Sequence, residues 1–331
     1  MPPRKPAARA DALTVSITRG PAIESTHIVH ALVMDGQENV IAAHGDAARL
    51  TFPRSAIKPL QAIALLETGA AAAFNLSNAE IALACASHSG EPQHVDVVSA
   101  WLARLGLDET ALECGAHAPY ATPCNPAGIL CNNCSGKHAG MLTLALHMKA
   151  PLQGYTRPDH PVQQKILAVM SDMFGAELTP AICGIDGCSA PNPAMPLQSM
   201  ATGFARLMNP QNLGMFRGTA CRHILQAMGE YPTLVGGTKR LDTALIAASS
   251  GGIISKVGAE GVYACVIPAR NAVIVLKAED GAGRAAQAAL YTLLERHALA
   301  DAAVLEAIRP LALPAQKNWR GLEVGGIRVE G

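Results

Sequence analysis

The apolar positions of this chain change period from its ends to its middle. His27 to Met34 is a Val-, Ile- and Leu-rich run with strand-like alternation, followed by the turn signal Asp35-Gly36-Gln37 and a second run from Val40 to Ala43. Two such runs joined by a short Gly-containing turn predict an antiparallel hairpin. A second hairpin is predicted near the other end, with Val262 to Ile267 and Ala272 to Leu276 flanking Pro268-Ala269-Arg270-Asn271. After it, Arg284 to Leu299 has helical spacing, with Leu290, Leu293, Leu294 and His297 on one face.

Between the hairpins the period is helical. Ala62 to Thr68 stops at Gly69, Ser77-Asn78-Ala79-Glu80 is a capping box ahead of an apolar run, and Val97 to Leu105 ends at Gly106. Lys137 to Met148 follows Ser135-Gly136, and Pro161 to Phe174 carries proline at its first helical position. The economical architecture is α+β, an antiparallel sheet built from both chain ends and covered by a helical insert over roughly residues 55–250. Residues 1–11 read as a disordered tail and 12–331 as one domain.

Composition narrows the function classes. Half of the 331 residues are apolar, enough for a sizeable core. The formal net charge is zero and aromatics are 4% of the chain, so nothing favours nucleic acid or an anionic membrane as a partner. No apolar run reaches the length of a membrane span, and the basic N-terminus lacks the apolar stretch of a secretory signal. Nine cysteines without disulfide-like spacing fit a reduced, cytoplasmic protein.

Three segments concentrate polar chemistry. In Arg54-Ser55-Ala56-Ile57-Lys58-Pro59 the missing N–H of Pro59 predicts a helix starting near Ala56. Ser55 then sits at a helix N-terminus with Lys58 one turn on, where a neutral lysine can take the proton of a serine nucleophile. S-x-x-K alone also describes a capping serine beside a solvated lysine. Cys85-Ala86-Ser87-His88-Ser89-Gly90-Glu91 leaves an apolar run in small and polar residues, as at a cleft or an ordinary capping turn. Cys131-Asn132-Asn133-Cys134 is half a zinc motif to which Cys188 can add a sulfur, but there is no second C-x-x-C, and metal-free thiols remain the alternative. Ser135-Gly136-Lys137 can instead offer helix N-terminal N–H groups to an oxyanion. Neither a G-x-S-x-G elbow nor H-E-x-x-H is present. Gly236-Gly237-Thr238 is not read as a threonine-nucleophile loop.

Taken in order, Arg54 to Gln61, Ala86 to Glu91, Cys114 to His117, Asn133 to Leu142, Asp159 to Gln163, Gly184 to Cys188 and Lys256 to Glu260 resemble the asparaginase II family. That family is typified by inducible rhizobial enzymes. The resemblance runs from about Leu13 to the C-terminus. It implies a fold like serine β-lactamases and penicillin-binding proteins, and a homodimer. It pairs Ser55 with Lys58 and Ser87 with Lys256, and it makes Cys134, Lys137 and Cys188 the ligands of a zinc ion outside the chemical step. Arg54 and His138 become candidates for the substrate carboxylate and Asp186 for its ammonium. Asp242, where some members appear to carry cysteine, is a further candidate for the ammonium or for orienting a lysine. The activity implied is hydrolysis of L-asparagine through a serine acyl-enzyme. Two alternatives are a β-lactamase or DD-peptidase-like acyl-enzyme, whose S-D-N and K-T-G motifs are missing here, and a catalytically inactive asparagine-binding protein.

Overall fold

The computed structural model describes residues 11–118 and 128–331. Apart from Asp11, the expected tail lies outside the described residues. The chain opens with β1 (Leu13–Arg19), β2 (Ala22–Asp35) and β3 (Val40–His44). It returns to the same sheet near its end with β4 (Ile254–Gly258), β5 (Val262–Ile267), β6 (Ala272–Ala278) and β7 (Ile327–Glu330). The spatial order is β7-β1-β2-β6-β5-β4. β2 is long enough to serve three partners: β1 and β3 share one edge, pairing at Val15↔His27 and Leu32↔Ala43, and β6 takes the other at Val33↔Ile274. Both predicted hairpins are present. The missed strands β1 and β4 bury polar residues, Ser16 and Thr18 in one and Ser255 and Lys256 in the other, and β7 is only four residues long.

The insert consists of α1 (Lys58–Glu67), α2 (Asn78–Ala84), α3 (Pro92–Arg104), α4 (Ser135–Met148), α5 (Pro161–Phe174), α6 (Leu197–Met208), α7 (Met215–Glu230) and α8 (Leu241–Ala248), with shorter turns between them. The Ser77/Glu80 capping box opens α2 as the sequence predicts. The start expected near Ala56 moves: Arg54–Ile57 winds as a 3₁₀ turn and the α-helix begins at Lys58, leaving Pro59 in its first turn. α9 (Gly283–Arg296) and α10 (Ala302–Ala312) follow the last hairpin.

The two-residue period of the strands divides the core into two layers. Leu32, Met34, Ala264, Val266, Val273 and Val275 face the helical insert. Ala31, Val33, Tyr263, Cys265, Ile274 and Leu276 face α9 and α10, and Leu241 and Leu245 of α8 join that second layer. The register of β4 follows the same division. Ile254 belongs with the insert and Val257 packs on the other side, so Lys256 points towards the insert.

Helix α4 runs through the centre of the insert, buried from Ser135 to Ala145. It passes close to α2 at Gly136, where an added Cβ would lie 2.4 Å from the carbonyl oxygen of Leu83. Backbone cannot give way there as a flexible side chain can. Gly136→Ala is therefore expected to destabilise the fold by about 1–3 kcal/mol, the usual scale of overpacking. Gly283→Ala at the start of α9, where a Cβ meets nothing within 4 Å, should be neutral or slightly stabilising. Urea unfolding of the two variants checks the contrast, and equal midpoints would contradict it.

Candidate active site

Three elements that are distant in sequence bring two lysines onto one serine. Lys58 enters from the first residue of α1, Ser87 from the segment just beyond α2, and Lys256 from the inner face of β4. Lys58 Nζ donates to Ser87 Oγ at 3.1 Å and Lys256 Nζ lies 2.8 Å from the same oxygen. Both lysines are 1% exposed and Ser87 is 4% exposed. Lys58 Nζ also meets the carbonyls of Ala86 at 2.5 Å and Asn133 at 3.2 Å. Its three acceptors match the three N–H groups of an ammonium. Lys256 Nζ has one further acceptor, the carbonyl of Val257 at 2.8 Å. A neutral amine there has a lone pair left to receive the Ser87 proton. Burial lowers Lys256 to about 7, the Lys58 and Arg240 cations push the same way, and Asp242 opposes them.

The pairing of Ser87 with Lys256 implied by the resemblance is thus made in space, whereas Lys58 bonds to Ser87 and not to Ser55. Because the turn at 54–57 is 3₁₀ and α1 starts at Lys58, the lysine stem enters the core and leaves Ser55 half-buried beside it. Among the described residues no side-chain hydrogen bond engages Ser55 Oγ. Arg54 adopts a left-handed φ of 51° and its Nε reaches Asp186 Oδ1 at 2.5 Å. Arg54 and Asp186 line an open cleft of about 450 Å³ together with Phe52, Asn192, Glu260 and Lys277. As an ion pair they neutralise one another.

The segment holding Ser87 is clasped by the loop after α7. Ser87 N–H donates to the Val235 carbonyl, Ser89 Oγ to that of Gly236, and Glu91 accepts from Thr238 N–H at 2.6 Å. Gly237 has φ +106°, and a Cβ there would meet Ser89 Oγ at 2.6 Å. This is the structural role of Gly236-Gly237-Thr238. His88 is fully buried and held far below its ordinary value by burial. Its Nδ1 accepts from Gly90 N–H, its Nε2 bonds Ser135 Oγ at 3.0 Å, and its ring stacks on His94 at 4.9 Å. These contacts fit a neutral imidazole.

Cys134, Lys137 and Cys188 converge as well. Lys137 Nζ lies 2.9 Å from Cys188 Sγ, and the Cys134 thiol donates to Asn133 Oδ1 at 3.1 Å. The neighbouring Cys134 thiol and the Lys137 ammonium hold Cys188 far below a normal thiol, while Cys188 and burial push Cys134 well above one. Burial alone would lower Lys137, but the sulfurs of Cys188 and Cys134 outweigh it and raise the amine. His138 Nδ1 bonds the Tyr155 hydroxyl at 2.7 Å, and its buried Nε2 has no hydrogen-bond partner among the described residues. Two thiols and a nitrogen suit zinc. Among the described residues no group of three or more His, Cys, Asp and Glu side chains forms a metal site, so an ion held here needs the Lys137 amine as a ligand and must displace its proton.

His138 is enclosed, fully buried beside these thiols, rather than presented to a carboxylate. Asp242 is enclosed too. It is 2% exposed, and its oxygens accept from Ser255 Oγ at 2.9 Å and Val257 N–H at 3.0 Å. Both contacts lie on the strand that carries Lys256, which sets the carboxylate beside that lysine, as the second of its two expected roles requires. Sequence reasoning missed Tyr155, the Asn133 carbonyl and the Glu91–Thr238 clasp. Only the last left a trace, in the polar run from Ser87 to Glu91.

Among solved structures, a beta-lactamase from Mycobacterium bovis is 15% identical at a TM-score of 0.45, covering 82% of this chain and 95% of that one. A protein titled Mglu in its native form is 16% identical at a TM-score of 0.46, covering 83% of this chain and 65% of its own. No curated protein matches significantly. The model of the L-asparaginase II family matches residues 15–329. Spanning both sheet-forming ends and the whole insert, that match settles the affiliation: the chain belongs to the L-asparaginase II family.

Proposed function

We propose that this protein hydrolyses L-asparagine to L-aspartate and ammonia through a serine acyl-enzyme. The observation that carries the reading is the meeting of two fully buried lysine amines on the hydroxyl of Ser87. Lys58 passes a proton to Ser87, whose own proton moves to Lys256, leaving Lys58 neutral. The Lys58 amine then turns from the Ala86 carbonyl to Ser55 and takes its proton as Ser55 Oγ attacks the side-chain carboxamide carbon. The C–N bond breaks, ammonia leaves with a proton from the lysine network, and a β-aspartyl ester remains on Ser55. Water attacks that ester, giving aspartate and the free serine. Helix N-terminal N–H groups of α1 and α4 are the candidate oxyanion donors. The Arg54–Asp186 pair opens to take the substrate carboxylate and ammonium, which exchanges one ion pair for two.

Ser55 is the nucleophile in this reading because its hydroxyl is half-buried, uncommitted and next to the cleft residue Arg54. A second reading, with Ser87 attacking, is favoured by the two lysines on its oxygen. Denaturing a reaction mixture rapidly and mapping the aspartyl adduct by mass spectrometry separates them: the ester is expected on Ser55, and an adduct on Ser87 moves the nucleophile.

Zinc fits as a resident of Cys134, Lys137 and Cys188. When bound, it supplies a fixed positive charge beside the substrate site. The protein is further proposed to work as a homodimer in the cytoplasm. No helix among the described residues is long and apolar enough to cross a membrane.

The purified protein should release ammonia from L-asparagine without ATP or an organic cofactor, and much more slowly from L-glutamine. An extra methylene displaces the carboxamide, and about 1 Å of misplacement can cost a hundredfold. No ammonia from either amide between neutral and moderately alkaline pH rules out the activity; nitrocefin hydrolysis in its place would move the protein to the β-lactam reading. Lys58→Met and Lys256→Met should each lower kcat by about a hundredfold or more. The double variant should be scarcely worse than the weaker single one, since members of one unit are non-additive.

The pH profile has a defined sign. Lys256 must be neutral to receive the Ser87 proton, so kcat/KM should fall as the pH drops through about 7. Lys58 is a cation that lowers Lys256. Any residual activity of Lys58→Met should therefore show that limb displaced towards alkaline pH, and a limb displaced towards acid contradicts the assignment.

Cys188→Ser should bind less zinc by metal analysis and should raise KM more than it lowers kcat. Loss of kcat with KM unchanged would place the metal in the chemical step.

A further inference from the structure

The buried carboxylate of Asp242 lies behind the strand that carries Lys256, on the side away from the insert. α8 packs Leu241 and Leu245 into the outer layer with α9 and α10, whereas Lys256 looks through the sheet towards Ser87. Its two acceptor bonds are to Ser255 Oγ at 2.9 Å and Val257 N–H at 3.0 Å, the residues immediately before and after Lys256. In a strand, alternate side chains point to opposite faces, so a group that grips the neighbours of a residue from behind sets where that residue points. β4 is the last strand of the sheet path, paired to β5 at Lys256↔Ala264. Its edge position leaves it without a strand on the other side, and Val257 N–H is taken up by Asp242 instead. A strand edge otherwise frays more readily than a central strand. A carboxylate this deep is stable only where its lone pairs are satisfied, and here every named contact is spent on β4.

We propose that Asp242 is a positioning residue: a buried anion that clamps β4 from behind and thereby fixes the Lys256 amine against Ser87 Oγ. The proposal rests on the reading of Lys256 as the proton acceptor and gives Asp242 a task other than holding substrate. Asp242 also acts at a distance. It opposes burial, Lys58 and Arg240 in setting the protonation of Lys256, to which Cys134 contributes as well, while Tyr263, Cys265 and Arg240 are the other titratable or charged groups around it.

Two substitutions divide the two effects. In Asp242→Asn the amide oxygen can accept from Val257 N–H and the amide N–H₂ can donate to Ser255 Oγ, whose hydroxyl turns to accept. The clamp is kept and the charge is lost. Asp242→Ala loses both. The Asn variant should keep its plateau kcat within about threefold and its KM unchanged, with the acid limb of kcat/KM moved about one unit towards acid, the scale of losing one opposite charge. Asp242→Ala should lose about tenfold to a hundredfold in kcat, the cost of a misplaced group, with KM little altered. Thermal melts establish that each variant is folded.

An NMR titration of the Lys256 side chain in ¹³C-lysine-labelled protein, assigned with Lys256→Met, reads the same shift without any activity. If Asp242→Asn leaves the Lys256 titration unmoved, or if folded Asp242→Ala turns over like the wild type, the proposal is overturned. A rise in KM as the main effect of either change would return Asp242 to substrate binding. Should Lys256→Met itself turn over normally, the acceptor role fails, and the NMR titration still reports whether Asp242 governs that amine.

Discussion

Two primary amines cannot both be charged at low cost within reach of one hydroxyl in a medium that excludes water. At an effective dielectric constant of about 20, two unit charges 4 Å apart interact by about 4 kcal/mol. Lys58 and Lys256 meet on Ser87 Oγ with no carboxylate in hydrogen-bond contact with either amine among the described residues. The available partners are neutral: the carbonyls of Ala86, Asn133 and Val257. One ammonium and one free amine share such a site more easily than two ammoniums, and a free amine is the base that a serine needs. The charge asymmetry of the pair therefore follows from burial and from which acceptors the backbone supplies.

Much of the architecture serves that constraint. α1 must start at Lys58 for its amine to reach the end of α2, and the turn at 54–57 delivers it there. The segment from Ala86 to Glu91 leaves α2 without secondary structure of its own and is tied down by Val235, Gly236 and Thr238. Gly136 lets α4 come close enough to α2 that Asn133, just before it, reaches Lys58. β4 supplies Lys256 from a sheet whose first strands were made more than two hundred residues earlier. The site exists only when both chain ends and the insert have assembled.

What the sequence could reveal was set by the range of the interactions. The hairpins around Gly36 and Ala269, the Ser77/Glu80 box and the proline at the start of α5 are local, and each was placed by spacing alone. Strands β1 and β7 pair with each other across the whole chain, Val15 opposite Val329, and nothing nearby marks them as partners. The same limit applies to the chemistry. S-x-x-K suggested a bond between Ser55 and Lys58 because they are close in sequence, and the fold spends that lysine on Ser87 instead. Nothing near Lys256 in sequence marks it as buried; the register of β4 turns it towards the insert. Family resemblance supplied the membership of the site, and only the packing supplied its wiring.

The wiring also explains why the two lysines differ. Lys58 sits where the ends of two helices and a loop offer three carbonyl or hydroxyl acceptors, a full set for an ammonium. Lys256 stands on a strand whose own carbonyls point sideways into the sheet, so its amine finds only Ser87 and the Val257 oxygen. A helix terminus and an adjoining loop thus offer a cation more acceptors than the face of a sheet does. The difference in acceptors belongs to the backbone around each amine and not to the residue type.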